Sequence, residues 1–414
     1  MQKLAKIMFS FGVLSAIALG CSRLSYGPEH FAPHVSKTTA IVSEKVLEKV
    51  GLKYYWEPIC LDLQDGEYVT KMHCVGENLY FITSKNYLYC VDAATGLKPW
   101  SYKITNKIEK TYAPVHFENM RMPKKIIGEG ALEYDYKKDC KPFDAVIINT
   151  ETKIVVLNRK TGKAVRDFEL TDQASCQAAT DGKYFYYGNF RDFFICSVLL
   201  STKPVWSEEI GSKPIRVPVR SLFNYIYAAD LNGNIRGYGN GYARNLIWKK
   251  QLEGEINTAF VADLRGVFVG CSDGHLYALN RINGEELWSP VDLESIPNMP
   301  TQKTQNTVFQ HTESKGLYAI NLLDGAIRWN KSNAKHVITT INNQLYLLDE
   351  HNNLIAVDEI TGNEKSSVPM TGIDFVAPSI GYESIFYATR NGHVFCLRSK
   401  GASIVTPSVF RMLK

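Results

Sequence analysis

The stretch "LYALNRINGEELW" runs from Leu276 to Trp288, and forty-one residues further on the chain reads "LYAINLLDGAIRW", Leu317 to Trp329. The polar residue eight places before each Trp, Asn280 or Asn321, serves as an anchor for aligning further copies. Upstream, "IRGYGNGYARNLIW" is anchored at Asn240 and "FICSVLLSTKPVW" at Val198; "IVVLNRKTGKAVR" at Asn158 carries Arg166 in the Trp position. "LYCVDAATGLKPW" is anchored at Asp92, "LIAVDEITGNEKS" at Asp358 with Ser366 in the Trp position, and the last copy, "VFCLRSKG", at Arg398. Successive anchors lie 66, 40, 42, 40, 41, 37 and 40 residues apart. Self-similarity at a fixed period of this size marks a solenoid or a propeller.

Each copy reads as strands. "VFVGCSDGHLYALN", 267–280, is an aromatic and β-branched run, a Ser-Asp-Gly turn and a second such run, which is a hairpin pattern. After the anchor, "INGEELW" or "ATGLKPW" makes another tight turn into a further strand. About four strands per ~41 residues is a propeller blade, and the helical period is absent. The expected fold is therefore all-β: an eight-bladed β-propeller of four-stranded antiparallel blades.

The eighth copy has no Trp after its anchor. The missing strand lies at the other end of the chain, in "LKYYWEPICLDL", 52–63, where Trp56 precedes Trp100 by 44 residues. The N-terminal strand is expected to complete the last blade and close the ring, which removes open sheet edges. Six of eight positions are then Trp: 56, 100, 206, 248, 288 and 329. A Trp buries roughly 150–250 Å², so at about 25 cal/mol per Å² each contributes at most ~4–6 kcal/mol. Their expected role is architectural, wedged against the next blade.

The chain opens "MQKLAKIMFSFGVLSAIALGCSR". Lys3 and Lys6 precede an apolar run, Ile7 to Leu19, that is too short to span a bilayer. It ends at Ala18-Leu19-Gly20-Cys21, which resembles a bacterial lipobox with Ala in place of the usual Leu. The expected organisation is a signal peptide over 1–20, a lipidated Cys21, a tether over 21–51 with a short helix near 40–51, and the propeller over 52–414. Ser22 after the Cys resembles the outer-membrane sorting pattern, and the expected location is the periplasmic face of the outer membrane. Removal of residues 1–20 lowers the formal net charge from +5 to +3, too mild for a nucleic-acid binder.

Catalytic and metal signals are sparse. The nine His are scattered and none falls in an H-E-x-x-H spacing; there is no C-x-x-C, G-x-S-x-G or phosphate loop. His275 and His393 share a "DGH"/"NGH" turn. Cys90, Cys196 and Cys396 each sit two places before an anchor, where other copies have Ala278 and Ala319, and are expected to be small unpaired core residues; Cys60 and Cys140 are the candidates for pairing. The 66-residue spacing marks an insertion of about 25 residues around 106–140, between the first and second repeats. Its mixture of Lys/Arg with Tyr, Phe and Met suits a partner.

"LYALNRINGEELW" resembles the PQQ-like repeat of quinoprotein-type propellers, written LYALDxxTGxxxW, over about residues 52–400. Two groups share that repeat. The quinone-dependent dehydrogenases hold pyrroloquinoline quinone and Ca²⁺, and many carry a vicinal Cys pair that this chain lacks. The BamB-like lipoproteins are eight-bladed, about this long, and follow a lipobox. The second resemblance implies a non-catalytic scaffold, without cofactor or metal, that assists outer-membrane β-barrel assembly by binding a BamA-type protein. An envelope propeller for another protein or a polysaccharide is the alternative, and a dehydrogenase the less favoured one. In that family, acidic residues before the first strand of a blade contribute to the partner surface; the corresponding "GEINTAF" places Glu255 and Asn257 there. A second patch, apolar with an Arg, precedes the previous blade; its counterpart "KPIRVPV" implies Ile215 and Arg216.

Overall fold

The computed structural model describes residues 36–37, 40–97, 100–121, 141–198, 204–402 and 405–411. Seven consecutive sheets are four-stranded antiparallel meanders and the eighth gathers both ends of the chain. Blade 1 comprises Val69–Val75, Asn78–Thr83, Tyr87–Asp92 and Trp100–Lys103. Blades 2 to 7 follow over 115–169, 179–209, 220–251, 261–292, 302–331 and 334–369. Blade 8 has Phe375–Ala377, Ile385–Ala388 and His393–Ser399. Its outer strand comes from the N-terminal side in two pieces: Leu52 pairs with Ser399 and Cys60 with His393. The ring is closed as the sequence implied. Ser36–Lys37 adds one short strand outside it.

Burial explains why these residues make inner and outer strands. Asn78–Thr83 is buried at every position, whereas Asn245–Gln251 buries only Trp248. The inner strands are apolar on both faces because each blade is packed on both sides, and the outer strand faces solvent except at the Trp. The core accordingly divides into eight clusters, one per blade junction.

The Trp residues make one repeated contact. Each lies opposite a small residue of its own third strand where it is paired: Trp100 with Cys90, Trp206 with Cys196, Trp248 with Gly237, Trp288 with Ala278, Trp329 with Ala319. The indole N–H then donates to the backbone carbonyl just after the next anchor: Trp56 to Ala93, Trp100 to Arg159, Trp206 to Gly241, Trp248 to Arg281, Trp288 to Leu322 and Trp329 to Glu359. The anchors hold that carbonyl in place. Asp92 and Asp358 each accept two main-chain N–H groups of their own turn and a Thr hydroxyl. These are Asx turns.

Two junctions lack the Trp. Between blades 7 and 8, where Ser366 stands opposite Ala356, the N-terminal segment fills the gap. Val42, Leu47, Val50 and Leu52 are buried with Ala356, Tyr346 and Tyr387, and Tyr346 donates to the carbonyl of Val50. The short helix α1 is present at Glu44–Glu48. The expected tether over 21–51 therefore includes core positions: among its last ten residues Val42, Leu47 and Val50 are buried. The expected insertion also needs correction. Within 106–140, Val115–Met120 is the innermost strand of blade 2. The extra length lies inside that blade, between its first and second strands, rather than between repeats; 122–140 lie outside the described residues. Cys60, Cys74, Cys90, Cys176, Cys196, Cys271 and Cys396 are free thiols; Cys21 and Cys140 lie outside the described residues.

Candidate functional site

An antiparallel meander gives the disc two faces. The connections between blades and the second-to-third turns lie on one, here the loop face. The anchor turns and the first-to-second turns lie on the other, the anchor face. The residues implied by the family resemblance all fall on the loop face, on the connections entering blades 4 and 5.

The connection 210–219 alternates. Ile215, Val217 and Val219 are buried, while Lys213 and Arg216 are exposed. Ile215 fills a socket against Gly188, where an added Cβ would meet its Cβ at 2.3 Å, and its carbonyl accepts the Ser175 hydroxyl. Ile215 is thus a plug under the rim, and Arg216 beside it is exposed. One blade on, Ile256 is the equivalent plug, and Glu255 and Asn257 flank it on the surface. Glu255 is fixed by its backbone: its N–H donates to the Ser272 hydroxyl at 2.6 Å, and its carbonyl accepts from the Ser272 N–H. Its carboxylate pairs with Lys213 at 2.6 Å. The fold therefore joins the two loops in one rim of Lys213, Arg216, Glu255 and Asn257. Both partners of the ion pair are about half exposed, so it contributes under about 1 kcal/mol and is available for exchange with an incoming charge.

The central channel is the second feature. A cavity of about 670 Å³ is lined by the innermost strands and the connections entering them, among them Met72, His73, Gln177, Pro218 and Arg220. Burial pushes His73 down to about 4, assisted by Lys71, so it is a neutral imidazole. At the anchor-face end the buried Arg159 faces Glu77 at 3.1 Å and Asp144 at 3.3 Å, with Glu118 at 4.0 Å. His116 Nδ1 lies 3.0 Å from the Arg159 guanidinium and Nε2 lies 2.8 Å from the Tyr80 hydroxyl. A guanidinium only donates, so Nδ1 accepts and Nε2–H faces Tyr80. Sequence reading did not find this cluster because its members are distributed over two repeats. Among the described residues no group of three His, Cys, Asp or Glu is placed to hold a metal ion.

Repeat, ring closure and Trp wedges define the class: an eight-bladed β-propeller of PQQ-like repeats. Residues 224–406, under half of the chain, match the family described as outer membrane protein assembly factor BamB. No curated protein matches it in sequence. Among solved structures it is similar to BamB from Moraxella catarrhalis, with a TM-score of 0.60 and 13% identity over 85% of this chain and 99% of that one. It is also similar to the computationally designed Ika8 protein, with a TM-score of 0.56 and 11% identity over 80% of this chain and 96% of that one. At such identities the likeness is one of fold.

Proposed function

We propose that this protein is a non-catalytic envelope scaffold in outer-membrane protein assembly, held at the periplasmic face of the outer membrane by a lipid on Cys21. Residues 1–20 would be its signal peptide and the propeller its working domain. The observation that carries the reading is the family match over 224–406, which spans blade 5 with Glu255 and Asn257 and the rest of the ring to blade 8. The lipobox-like Ala18-Leu19-Gly20-Cys21 supports the location. The loop-face rim supports a role in recognition, because it offers charge and hydrogen bonding at fixed positions. Lys213 and Arg216 would meet carboxylates of the partner, and Glu255 and Asn257 its donors. A BamA-type barrel-assembly protein is the partner this reading names.

The test is a crosslinked recovery of the lipidated protein from its native envelope, followed by mass spectrometry. Recovery of an Omp85-type barrel protein, lost in an Arg216→Glu, Glu255→Arg double variant, is the expected result. Recovery of other envelope proteins alone would sink this reading.

A further inference from the structure

We propose that the anchor face of blades 4 and 5 is a bilayer-contact surface for anionic phospholipid. It opposes the loop-face rim. The inference rests on the proposed lipid anchor only for bringing the propeller close to a membrane.

The key residue is Phe223. It is the first residue of the two-residue turn between paired Leu222 and Tyr225, with φ +51° and a side chain 67% exposed. The same turn position in blade 1, between Val75 and Asn78, is Gly76, and in blade 7, between Ile341 and Gln344, it is Asn342. Gly and Asn tolerate positive φ, whereas a bulky residue there is an outlier that costs about 1–3 kcal/mol. Phe223 meets that cost and also leaves its ring in water. Neither feature helps the fold, which indicates a role outside it.

Phe223 has company. Tyr242 in the anchor turn of blade 4 is 52% exposed; Leu264 and Ile282, in the two turns of blade 5, are 65% and 49% exposed. The turns are contiguous. Asn240 donates its N–H to the Asn224 carbonyl at 3.0 Å, joining the two turns of blade 4. Arg281 lies over the Tyr225 ring at 5.6 Å, joining blade 5 to blade 4. A Cβ added at Gly266, next to the Leu264 turn, would come within 2.7 Å of the Leu287 side chain of blade 5.

The charges between these tips identify the occupant. Arg244 and Arg265 are exposed, and no carboxylate pairs with them among the described residues. The acidic Asp263 of the same turn is already held by Lys303 at 2.7 Å. Separate apolar and aromatic tips interspersed with arginines suit a bilayer interface, where rings and aliphatic tips enter the headgroup boundary and arginines meet phosphates. From Cys21 to Ser36 an extended chain spans at most roughly 50 Å; Ser36 pairs beside Cys60 and His393 at the loop-face end of blade 8, so the tether keeps the propeller near a membrane but does not itself select the anchor face.

The full chain carrying Cys21→Ser, which cannot be lipidated, is sedimented with vesicles of phosphatidylglycerol and phosphatidylethanolamine, and in parallel with phosphatidylcholine vesicles. Binding to the anionic vesicles is expected, with little to phosphatidylcholine. Phe223→Gly relaxes the turn, so it folds, and it should weaken binding about tenfold by removing the ring. Arg244→Gln and Arg265→Gln should each weaken it about fivefold. Absence of vesicle binding, equal binding to phosphatidylcholine, or an undiminished Phe223→Gly variant would overturn the proposal. So would concentration-dependent dimerisation lost in Phe223→Gly, which would assign the patch to a second copy. Loss of the assembly partner in the loop-face variants reads a different surface, so either proposal can fail alone.

Discussion

Trp329 of blade 6 donates its indole N–H to the Glu359 carbonyl in blade 7 at 2.9 Å. Gly362 of the same turn lies against the indole ring: a Cβ there would come within 2.6 Å of it. Five glycines repeat this contact, each four residues after an anchor and each at a φ between +68° and +76°: Gly96, Gly162, Gly284, Gly325 and Gly362. The Gly of the repeat is therefore needed twice, for its backbone conformation and for the space above it.

Gly362→Ala should accordingly cost more than an ordinary left-handed glycine. Strain contributes about 1 kcal/mol and displacement of the ring about 1–3 kcal/mol more. Gly66 has φ +68° but nothing within 4 Å of an added Cβ, so Gly66→Ala should show the strain alone. Urea unfolding of the two variants measures the difference. Equal losses would remove the Trp contact as the reason for the glycine.

Leu47 of α1 is fully buried at the junction of blades 7 and 8. Leu47→Ala should destabilise the protein by about 2–5 kcal/mol, read as a lower thermal midpoint. A tether would tolerate the change. No shift would mean that α1 is not part of the core.

The ring and its closure were legible in the sequence because eight copies repeat one local pattern. The role of 42–51 was not, since "AIVSEKVLEKVG" is not a repeat copy and its partner is the junction of blades 7 and 8, where Ser366 stands in place of Trp. The candidate site was legible only in outline. Resemblance placed Ile215, Arg216, Glu255 and Asn257 on neighbouring loops, but the alternation that buries Ile215 depends on the Gly188 socket, 27 residues away in sequence. Phe223 left a visible signal, an aromatic residue in a turn position that other copies give to Gly or Asn, and it becomes informative only once register aligns the turns.

Arg159 and Lys213 are both ion-paired, and burial separates them. Arg159→Met leaves the buried Glu77 without its cation and should cost about 3–5 kcal/mol. Lys213→Ala removes a half-exposed pair and should cost under about 1 kcal/mol. Denaturant midpoints of the two variants check the contrast. Comparable losses would show that the Arg159 cluster is solvated.

His73 and His336 set the expected acid limb of stability. Burial lowers each to about 4, with Lys71 adding to the effect at His73, and Lys335 and His311 at His336. In the unfolded chain both titrate near 6.5. Between those values the unfolded state binds protons that the folded state refuses, so stability falls as pH drops from about 6.5 toward 4. Above 6.5 both states are neutral at these positions and the contribution is flat. The loss should be on the order of 1–3 kcal/mol per histidine. His73→Gln and His336→Gln remove the titration without requiring an ion, so thermal midpoints of the double variant should fall less steeply over that window than those of the wild type. Parallel slopes would mean that both imidazoles reach water in the folded protein and charge freely.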